Sequence, residues 1–305
     1  MRARARTASW LLVLAALALT SLARSEDAPG PRRAQMDSAR AAARQALVRG
    51  PSEVALRDQA KLALPEHFGF IPRKEAAALM TAMGNSVNEE FLGLIVPLGD
   101  TTSHWLIVVH YSPSGYIKDD EAQHWDADKL LQSLKDGTEA GNVERESLGI
   151  PAIVVTRWVQ VPKYEGDTHR LVWSAEARNK VGPDDDPTIN YNTYLLGREG
   201  YVSLNLITSA TAVDADKRAA HQLLAAVDFN SGKRYGDFNS STDKIAAYGL
   251  GALIAGVAAK KLGLIAILAA TIVKFAKVIA LAVAGGVAFV TKWLKGRRAG
   301  QSTPQ

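Results

Sequence analysis

The sequence contains no cysteine. This absence excludes a disulfide framework, a thiol nucleophile and thiolate metal sites. The sequence also has no G-x-S-x-G, H-E-x-x-H, P-loop or G-x-G-x-x-G motif, so the common signatures of serine hydrolases, zinc proteases and nucleotide-binding proteins are missing. We therefore predict no cofactor.

Acidic residues are absent from both ends of the chain. All 31 of them lie between Glu26 and Asp243. Residues 24–243 combine these 31 acids with 24 lysines and arginines, a net charge of −7, although the whole chain carries +5. The basic residues at the two ends flank apolar runs, an arrangement typical of membrane proteins. We expect a membrane as a partner, and not a nucleic acid.

The first 23 residues have the three parts of a secretory signal peptide. Arg2, Arg4 and Arg6 form a basic start, Trp10 to Leu19 are apolar, and Ser21-Leu22-Ala23 offers small residues for cleavage. A retained N-terminal anchor is the alternative. Residues 24–51, rich in alanine and arginine, predict a flexible lead-in or a short amphipathic helix.

Residues 242–296 predict a transmembrane anchor region, followed by a basic and polar tail at 297–305. Ser241 or Thr242 is expected to cap its first helix. The uncharged run from Ile245 to Ala259 would form roughly 22 Å of helix, whereas the hydrocarbon core measures about 30 Å. Two further apolar runs follow, so one or two crossings are open. A buried soluble hairpin is the alternative.

Residues 52–241 predict an extracytoplasmic α+β domain with a mostly antiparallel sheet and flanking helices. Three helices are expected: one over 71–85, one from an Asp126 N-cap to about Gly137, and one over 213–226. The expected strands cover 104–112, 152–162 as an inner strand, 170–178, and a hairpin of 188–198 with 200–208.

Two of these strands alternate clearly between faces. The first should place Trp105, Ile107, Val109 and Tyr111 on one face of the sheet. The second should place Leu171, Trp173, Ala175 and Ala177 together.

Several short pieces in a fixed order resemble a bacterial family of predicted membrane-anchored proteins with a domain of unknown function. The resemblance covers about 55–295 and includes "GYIKDDEA..WDAD.LL" at 115–131, "HRLVW" at 169–173, "NYNTYLLGREG" at 190–200 and "F..GKRY.DF..STDKIAAYGL" at 229–250. The resemblance implies an exported domain followed by a C-terminal membrane anchor. It implies no activity.

The densest acidic cluster is "KDDEAQHWDAD" at 118–128, where the metal-ligand candidates are Asp119, Asp120, Glu121 and His124. Glu121 and His124 have the i, i+3 spacing that places a carboxylate and an imidazole on one helix face. Carboxylate-bridged metal sites need that pair twice, and it occurs once here. A solvated helix entrance is the simpler interpretation.

Two other motifs are incomplete. Asp184, Asp186, Thr188 and Asn190 alternate like the start of a calcium loop, but Ile189 stands where the loop needs glycine, which favours an exposed hairpin loop. "STDK" at 241–244 has the Ser-x-x-Lys spacing of penicillin-binding enzymes without its companion motifs.

Aromatic and polar residues near the predicted hairpins form the best candidate recognition surface. The ligand-binding candidates are Trp158, Tyr164, Trp173, Asn190, Tyr191 and Arg198. Aromatic residues on neighbouring strands also pair across a sheet as ordinary core.

The export signal, the anchor and the lack of an assembled catalytic set together favour a non-enzymatic binding or scaffold module of the bacterial envelope. It would sit at the inner membrane, with its main domain on the periplasmic side, and bind a protein partner or an envelope component. One alternative is an envelope hydrolase with an unrecognised acid/base or metal site. Another is an accessory subunit of a membrane complex.

Overall fold

The computed structural model describes residues 31–85, 87–99, 105–147, 151–182 and 186–255. The helices are α1 (Pro31–Gln45), α2 (Arg73–Ala82), α3 (Ala127–Ser147), α4 (Val213–Ala225) and α5 (Leu250–Ala255). The strands are β1 (Val48–Arg49), β2 (Ser52–Leu56), β3 (Ala60–Leu64), β4 (Phe68–Pro72), β5 (Phe91–Pro97), β6 (Leu106–Ser112), β7 (Ile153–Glu165), β8 (Arg170–Asn179), β9 (Thr188–Leu196), β10 (Tyr201–Ser209) and β11 (Val227–Phe229). Short 3-10 turns cover Asp120–Gln123 and Tyr235–Asp237.

Eight strands form one large antiparallel sheet in the order β1-β4-β5-β6-β10-β9-β8-β7. A second sheet has the order β11-β3-β2. The predicted α+β class and its large antiparallel sheet with flanking helices are confirmed. The hairpin of β9 and β10 is also confirmed, with Leu196 opposite Tyr201 on either side of its turn.

Apolar cores cover both faces of the large sheet. One face packs against the second sheet and α4. The other face carries two separate cores, one under α1 and α2 and one under α3 and α5. The predicted faces hold: Trp105, Ile107, Val109 and Tyr111 share the first core, and Leu171, Trp173, Ala175 and Ala177 share the core under α3 and α5.

Helix α3 begins as predicted and ends ten residues later than predicted. Its Asp126 cap accepts hydrogen bonds from the backbone N–H groups of Asp128 and Lys129 at 3.0 and 3.1 Å. The helix then passes through Gly137 and reaches Ser147. A glycine inside a helix costs only about 1 kcal/mol, and contacts of the last turns with β7, among them the hydrogen bonds of Asn142 with Ile153, offset this cost. The predicted end near Gly137 is therefore wrong.

Strand β7 is predicted as an inner strand and lies instead at the edge of the described sheet. Its pairing with β8 shifts register three times, and Val154 and Val161 are exposed. The β-branched run was misleading because α3, and not another strand, packs beside β7.

The predicted helix cap at Ser241 or Thr242 is wrong, because α5 begins only at Leu250. Asp243 binds Arg198 instead, at 2.6 Å, and Ile245 forms an isolated bridge with Tyr116. Among the described residues, no helix combines the length and the apolar character needed to cross a bilayer. The predicted signal peptide, the anchor from residue 256 onwards and Asp184 lie outside the described residues.

The sequence of 24–51 predicts either a flexible lead-in or a short helix. Its described part contains α1 and β1, and Ala43 of α1 is buried in the core under α1 and α2.

Candidate functional site

Four rings stack in a row where the chain leaves β6. Phe238 lies on Tyr116 with 3.8 Å between ring centroids, Tyr116 lies on Tyr235 at 4.4 Å, and Tyr235 lies on His169 at 4.0 Å. The Tyr235 hydroxyl donates to the carbonyl of Ile117 at 2.8 Å. The stack therefore connects the β7–β8 turn, the 115–120 segment and the 235–238 turn.

Gly115 allows the close approach that the stack requires. Its φ of +94° is in the left-handed region, and a Cβ there would lie 2.6 Å from the carbonyl oxygen of Lys244. With glycine in place, Tyr116 exchanges backbone hydrogen bonds with Lys244 and Ala246, each at 2.8 Å. The 244–246 segment thus runs directly beside the ring stack.

Asp119, Tyr164 and His169 form a hydrogen-bonded corner at the end of this stack. The Tyr164 hydroxyl donates to Asp119 Oδ2 at 2.6 Å. His169 Nδ1 lies 3.0 Å from the same hydroxyl and 3.6 Å from Asp119 Oδ2. We call these three residues the Asp119 corner.

The single phenolic proton fixes the direction of these hydrogen bonds. Because Tyr164 donates its proton to Asp119, its oxygen must accept from the Nδ1–H of His169. In the tautomer that donates through Nδ1, the free lone pair of the His169 ring lies on Nε2. Burial, together with the Asp119 carboxylate, raises the pKa of Tyr164 far above its usual value, so this phenol keeps its proton. The corner thus presents two hydrogen-bond acceptors to a partner, the Asp119 carboxylate and His169 Nε2.

The corner can be reached from solvent. The side chains of His169 and Asp119 are 31% and 26% exposed. Their neighbours Asp120 and Lys118 are exposed. Hydrogen-bond donors of a partner can therefore approach Asp119 and His169 without a rearrangement of the core.

A cavity of about 370 Å³ lies on the other side of the same segment. It is lined by Glu121, His124, Trp125, Asp126, Lys129, Leu130, Ser133 and Gly251. Glu121 accepts a hydrogen bond from the backbone N–H of Gly251, at the start of α5. The cavity thus lies between α3 and the first turn of α5.

The metal-ligand candidates are divided between these two places. Asp119 belongs to the corner, Glu121 and His124 line the cavity, and Asp120 is exposed. The described residues contain no group of three or more histidine, aspartate or glutamate side chains that could hold a metal ion.

The ligand-binding candidates also do not form one cleft. Trp158 and Trp173 meet edge to face, with 6.2 Å between their centroids, and Trp158 Nε1 donates to the Ala127 carbonyl at 3.1 Å. Tyr164 belongs to the Asp119 corner. Tyr191 lies in the core of the opposite face, with its hydroxyl 2.9 Å from His221 Nε2.

The last two candidates have structural partners as well. Asn190 is buried, and its carbonyl accepts from Ser174 and Asn192. Arg198 forms two hydrogen bonds with the Asp243 carboxylate, at 2.6 and 2.8 Å. The Arg198 guanidinium holds the pKa of Asp243 well below its usual value. This pair fixes the segment that precedes residues 244–246.

Sequence reasoning missed His169 and the rings of Tyr116, Tyr235 and Phe238. One signal was available: Tyr164 and His169 flank the "EGDT" turn of a hairpin, which brings the two side chains near each other. No sequence signal connected them with Asp119, because β6 and β7 lie at different positions in the sheet.

Comparison with known proteins places the chain in a family. The model of the family described as "Protein of unknown function (DUF2167)" matches residues 48–284. A search of curated proteins gives no match. Among solved structures, one similar chain is the solution structure of cyanobacterial PsbP (CyanoP) from Synechocystis sp. PCC 6803. The identity is 10%, the TM-score is 0.35, and the match covers 61% of this chain and 93% of that one.

Proposed function

The chain belongs to this family of unknown function, and we propose that it is a non-enzymatic binding module of the bacterial envelope. In this proposal the N-terminal segment directs export, and the C-terminal apolar region anchors the protein in the inner membrane. The folded domain then lies on the periplasmic side. The Asp119 corner and the neighbouring stack of rings would form its binding surface.

The Asp119 corner is the observation that supports binding. It offers a carboxylate and the free lone pair of His169 Nε2 beside a stack of aromatic rings. Acceptors next to ring faces suit lysine and arginine side chains, which donate hydrogen bonds and interact favourably with π systems. The net charge of −7 over residues 24–243 also favours a positively charged partner. The partner we propose is a basic protein segment.

Two properties of the corner favour binding over catalysis. Tyr164 remains protonated and already donates to Asp119, so it is not an activated nucleophile. His169 Nδ1 is committed to Tyr164. The described part of the corner places no serine or threonine hydroxyl beside His169 for activation.

The first test is cross-linking of the full chain in its native membrane, with the captured proteins identified by mass spectrometry. We expect Asp119→Asn to reduce capture of a basic partner about tenfold, since a charge-assisted hydrogen bond is worth about 1.5–3 kcal/mol. Asp128→Asn is the matched control, because Asp128 is an exposed acid of the same segment outside the corner. Equal capture by wild type and Asp119→Asn would refute the assignment of this site.

Reporter fusions after Ser241, Lys261 and Arg298 test the membrane part of the proposal. A periplasmic signal at Ser241 is expected, and a cytoplasmic signal there would contradict it. A hydrolytic activity of the purified chain that disappears in His169→Gln would support the hydrolase alternative instead.

A further inference from the structure

Strand β7 contains a bulge that redirects one arginine. Its regular pairing with β8 stops at Val155 and resumes at Trp158. Thr156 and Arg157 therefore face a single residue of β8, Glu176. Val155 and Trp158 both contact the core under α3 and α5. In a regular strand Arg157 would point to the same face as Val155, whereas the bulge turns it to the opposite face, where Glu176 lies.

Glu176 is a buried carboxylate that binds three neighbouring side chains. Its side chain is 3% exposed. Its Oε1 accepts from Thr156 Oγ1 at 2.8 Å and from Arg178 Nε at 2.7 Å, and its Oε2 accepts from Arg157 Nη2 at 2.8 Å. The Arg178 hydrogen bond holds the pKa of Glu176 below its usual value, so the carboxylate is charged at neutral pH. We call Thr156, Arg157, Glu176 and Arg178 the Glu176 cluster.

The two arginines of the Glu176 cluster extend to the surface. The side chain of Arg157 is 66% exposed and that of Arg178 is 40% exposed. One arginine would balance the charge of Glu176, so the second leaves the cluster with a net positive charge. Residues 24–243 as a whole carry −7. The cluster therefore presents positive charge on a domain that is otherwise negative.

The buried carboxylate arranges these arginines for an anion. Both guanidinium groups bind to the same carboxylate, so they are neighbours before any ligand arrives. Among the described residues, Glu176 is the hydrogen-bond partner of the Arg157 guanidinium, and this bond uses one of its five N–H donors. Side chains that are held in place in advance lose less conformational entropy when they bind a ligand.

We propose that Arg157 and Arg178 bind the phosphate group of a ligand. Guanidinium groups match the geometry of phosphate oxygens, and a phosphate has enough oxygens to accept from both arginines at once. A phospholipid headgroup and free phosphate are the two sources of this chemistry.

The Glu176 cluster is separate from the Asp119 corner. Both belong to the β7–β8 hairpin, but the corner lies at its turn, and the residues from His169 to Glu176 span about 23 Å at the rise of a strand. One part of the hairpin thus offers hydrogen-bond acceptors and the other offers donors. Asp119→Asn should therefore leave phosphate binding unchanged, and the phosphate site does not depend on the basic partner proposed for the corner.

Calorimetric titration of the full chain with inorganic phosphate, in a non-ionic detergent, tests the site. The titration is made at low ionic strength, because salt screens exposed charges. Wild type should bind phosphate saturably, with a Kd in the millimolar range. Arg157→Gln should raise this Kd about tenfold, the effect of one lost charge-assisted hydrogen bond. Arg178→Gln should have a similar effect.

Lys163→Gln is the matched control. Lys163 belongs to the same strand as Arg157, is 68% exposed and also binds a glutamate, Glu165, at 2.9 Å. The Kd of Lys163→Gln should equal that of wild type. Equal weakening by Lys163→Gln and Arg157→Gln would show a general effect of charge, and it would overturn the proposal.

Glycerophosphoglycerol separates the two sources, because it is the headgroup of phosphatidylglycerol without its acyl chains. If it binds about as well as inorganic phosphate and Arg157→Gln weakens both, the site accepts the phosphodiester of a lipid headgroup. If only inorganic phosphate binds in a manner that depends on Arg157, the site is one for free phosphate.

A purely structural role of the two arginines would give different results. If Arg157 served only to balance the charge of Glu176, wild type would bind neither probe saturably, or Arg157→Gln would leave binding unchanged. Either result would overturn the proposal. The titration of wild type needs no variant, so it is decisive even if a substitution unfolds the domain.

Discussion

Glu90 is a carboxyl group that the fold places in an unfavourable environment. It precedes β5, and Ser112 Oγ donates to its Oε1 at 3.1 Å. Burial raises its pKa from 4.5 to about 7, and the Ser112 hydrogen bond and the Arg57 charge only partly offset this effect. The folded protein therefore binds a proton at Glu90 that the unfolded chain has already released.

The pH dependence of stability follows from this difference. Because the folded pKa is higher than the unfolded one, the stabilising effect is fully present below about pH 4.5 and is lost as the pH rises through about 7. We expect Glu90→Gln to be more stable than wild type at pH 8, by about 1–3 kcal/mol after solvent screening, and similar to it at pH 4.5. Urea unfolding over this pH range measures the difference.

The matched control for Glu90 is its neighbour. Glu89 is exposed, so Glu89→Gln should keep the pH dependence of wild type. If Glu90→Gln also kept it, Glu90 would not be the group responsible.

At the scale of single elements, Asn142 joins α3 to the edge strand β7. Its side chain is 3% exposed. Its Nδ2 donates to the Ile153 carbonyl at 2.8 Å, and its Oδ1 accepts from the Ile153 N–H at 3.0 Å. An amide side chain thus pairs with the start of β7 as a neighbouring strand would, and it covers part of an otherwise unpaired sheet edge.

Asn142→Ala removes both hydrogen bonds and leaves the Ile153 backbone without these partners. We expect it to lower the free energy of unfolding by about 2–3 kcal/mol, as measured by urea denaturation. The control is Gln132→Ala, since Gln132 is exposed on the same helix and its bond to Asp136 is also exposed. A loss under about 0.5 kcal/mol for Asn142→Ala would show that the junction contributes little.

The sequence predicts elements whose burial alternates locally. Both sides of β6 and β8 follow from their apolar pattern, because period 2 assigns residues to faces without knowledge of the neighbours. It does not identify the second sheet, since β2 and β3 are short, rich in alanine and leucine, and pair with β11 from the far end of the domain. Nor does periodicity predict that β7 would lie at an edge, because sheet order depends on long-range contacts.

The sequence predicts only part of the candidate site, because long-range contacts also assemble that site. The sequence predicts Asp119 and Tyr164 as candidates for separate sites, and the structure joins them directly, with His169 beside them. Glu121 and His124 keep their predicted proximity along the cavity wall. Asp119, only two residues before Glu121, binds Tyr164 instead, and local spacing cannot show this.

At the scale of the whole molecule, the start of the C-terminal apolar run packs on the folded domain. Leu250, Leu253 and Ile254 are buried in the core under α3 and α5, together with Ile117 and Leu134. The Arg198–Asp243 pair and the bridge at Tyr116 hold the preceding segment. The folded unit therefore extends to Ala255, and any membrane segment of the protein would begin beyond residues that stabilise the domain.

Leu250→Ala tests this extension in the full chain. Leu250 is 0% exposed, so we expect a loss of about 2–4 kcal/mol in the free energy of unfolding of the domain, measured in detergent by urea denaturation. Ile245→Ala is the control, because Ile245 is 43% exposed in the same segment and should cost less than about 1 kcal/mol. If residues 245–255 lay in the bilayer instead, both substitutions would leave domain stability nearly unchanged. A large effect of Leu250→Ala alone would therefore place the start of this apolar run in the domain core, and the length available for crossing would be reduced to residues 256–290.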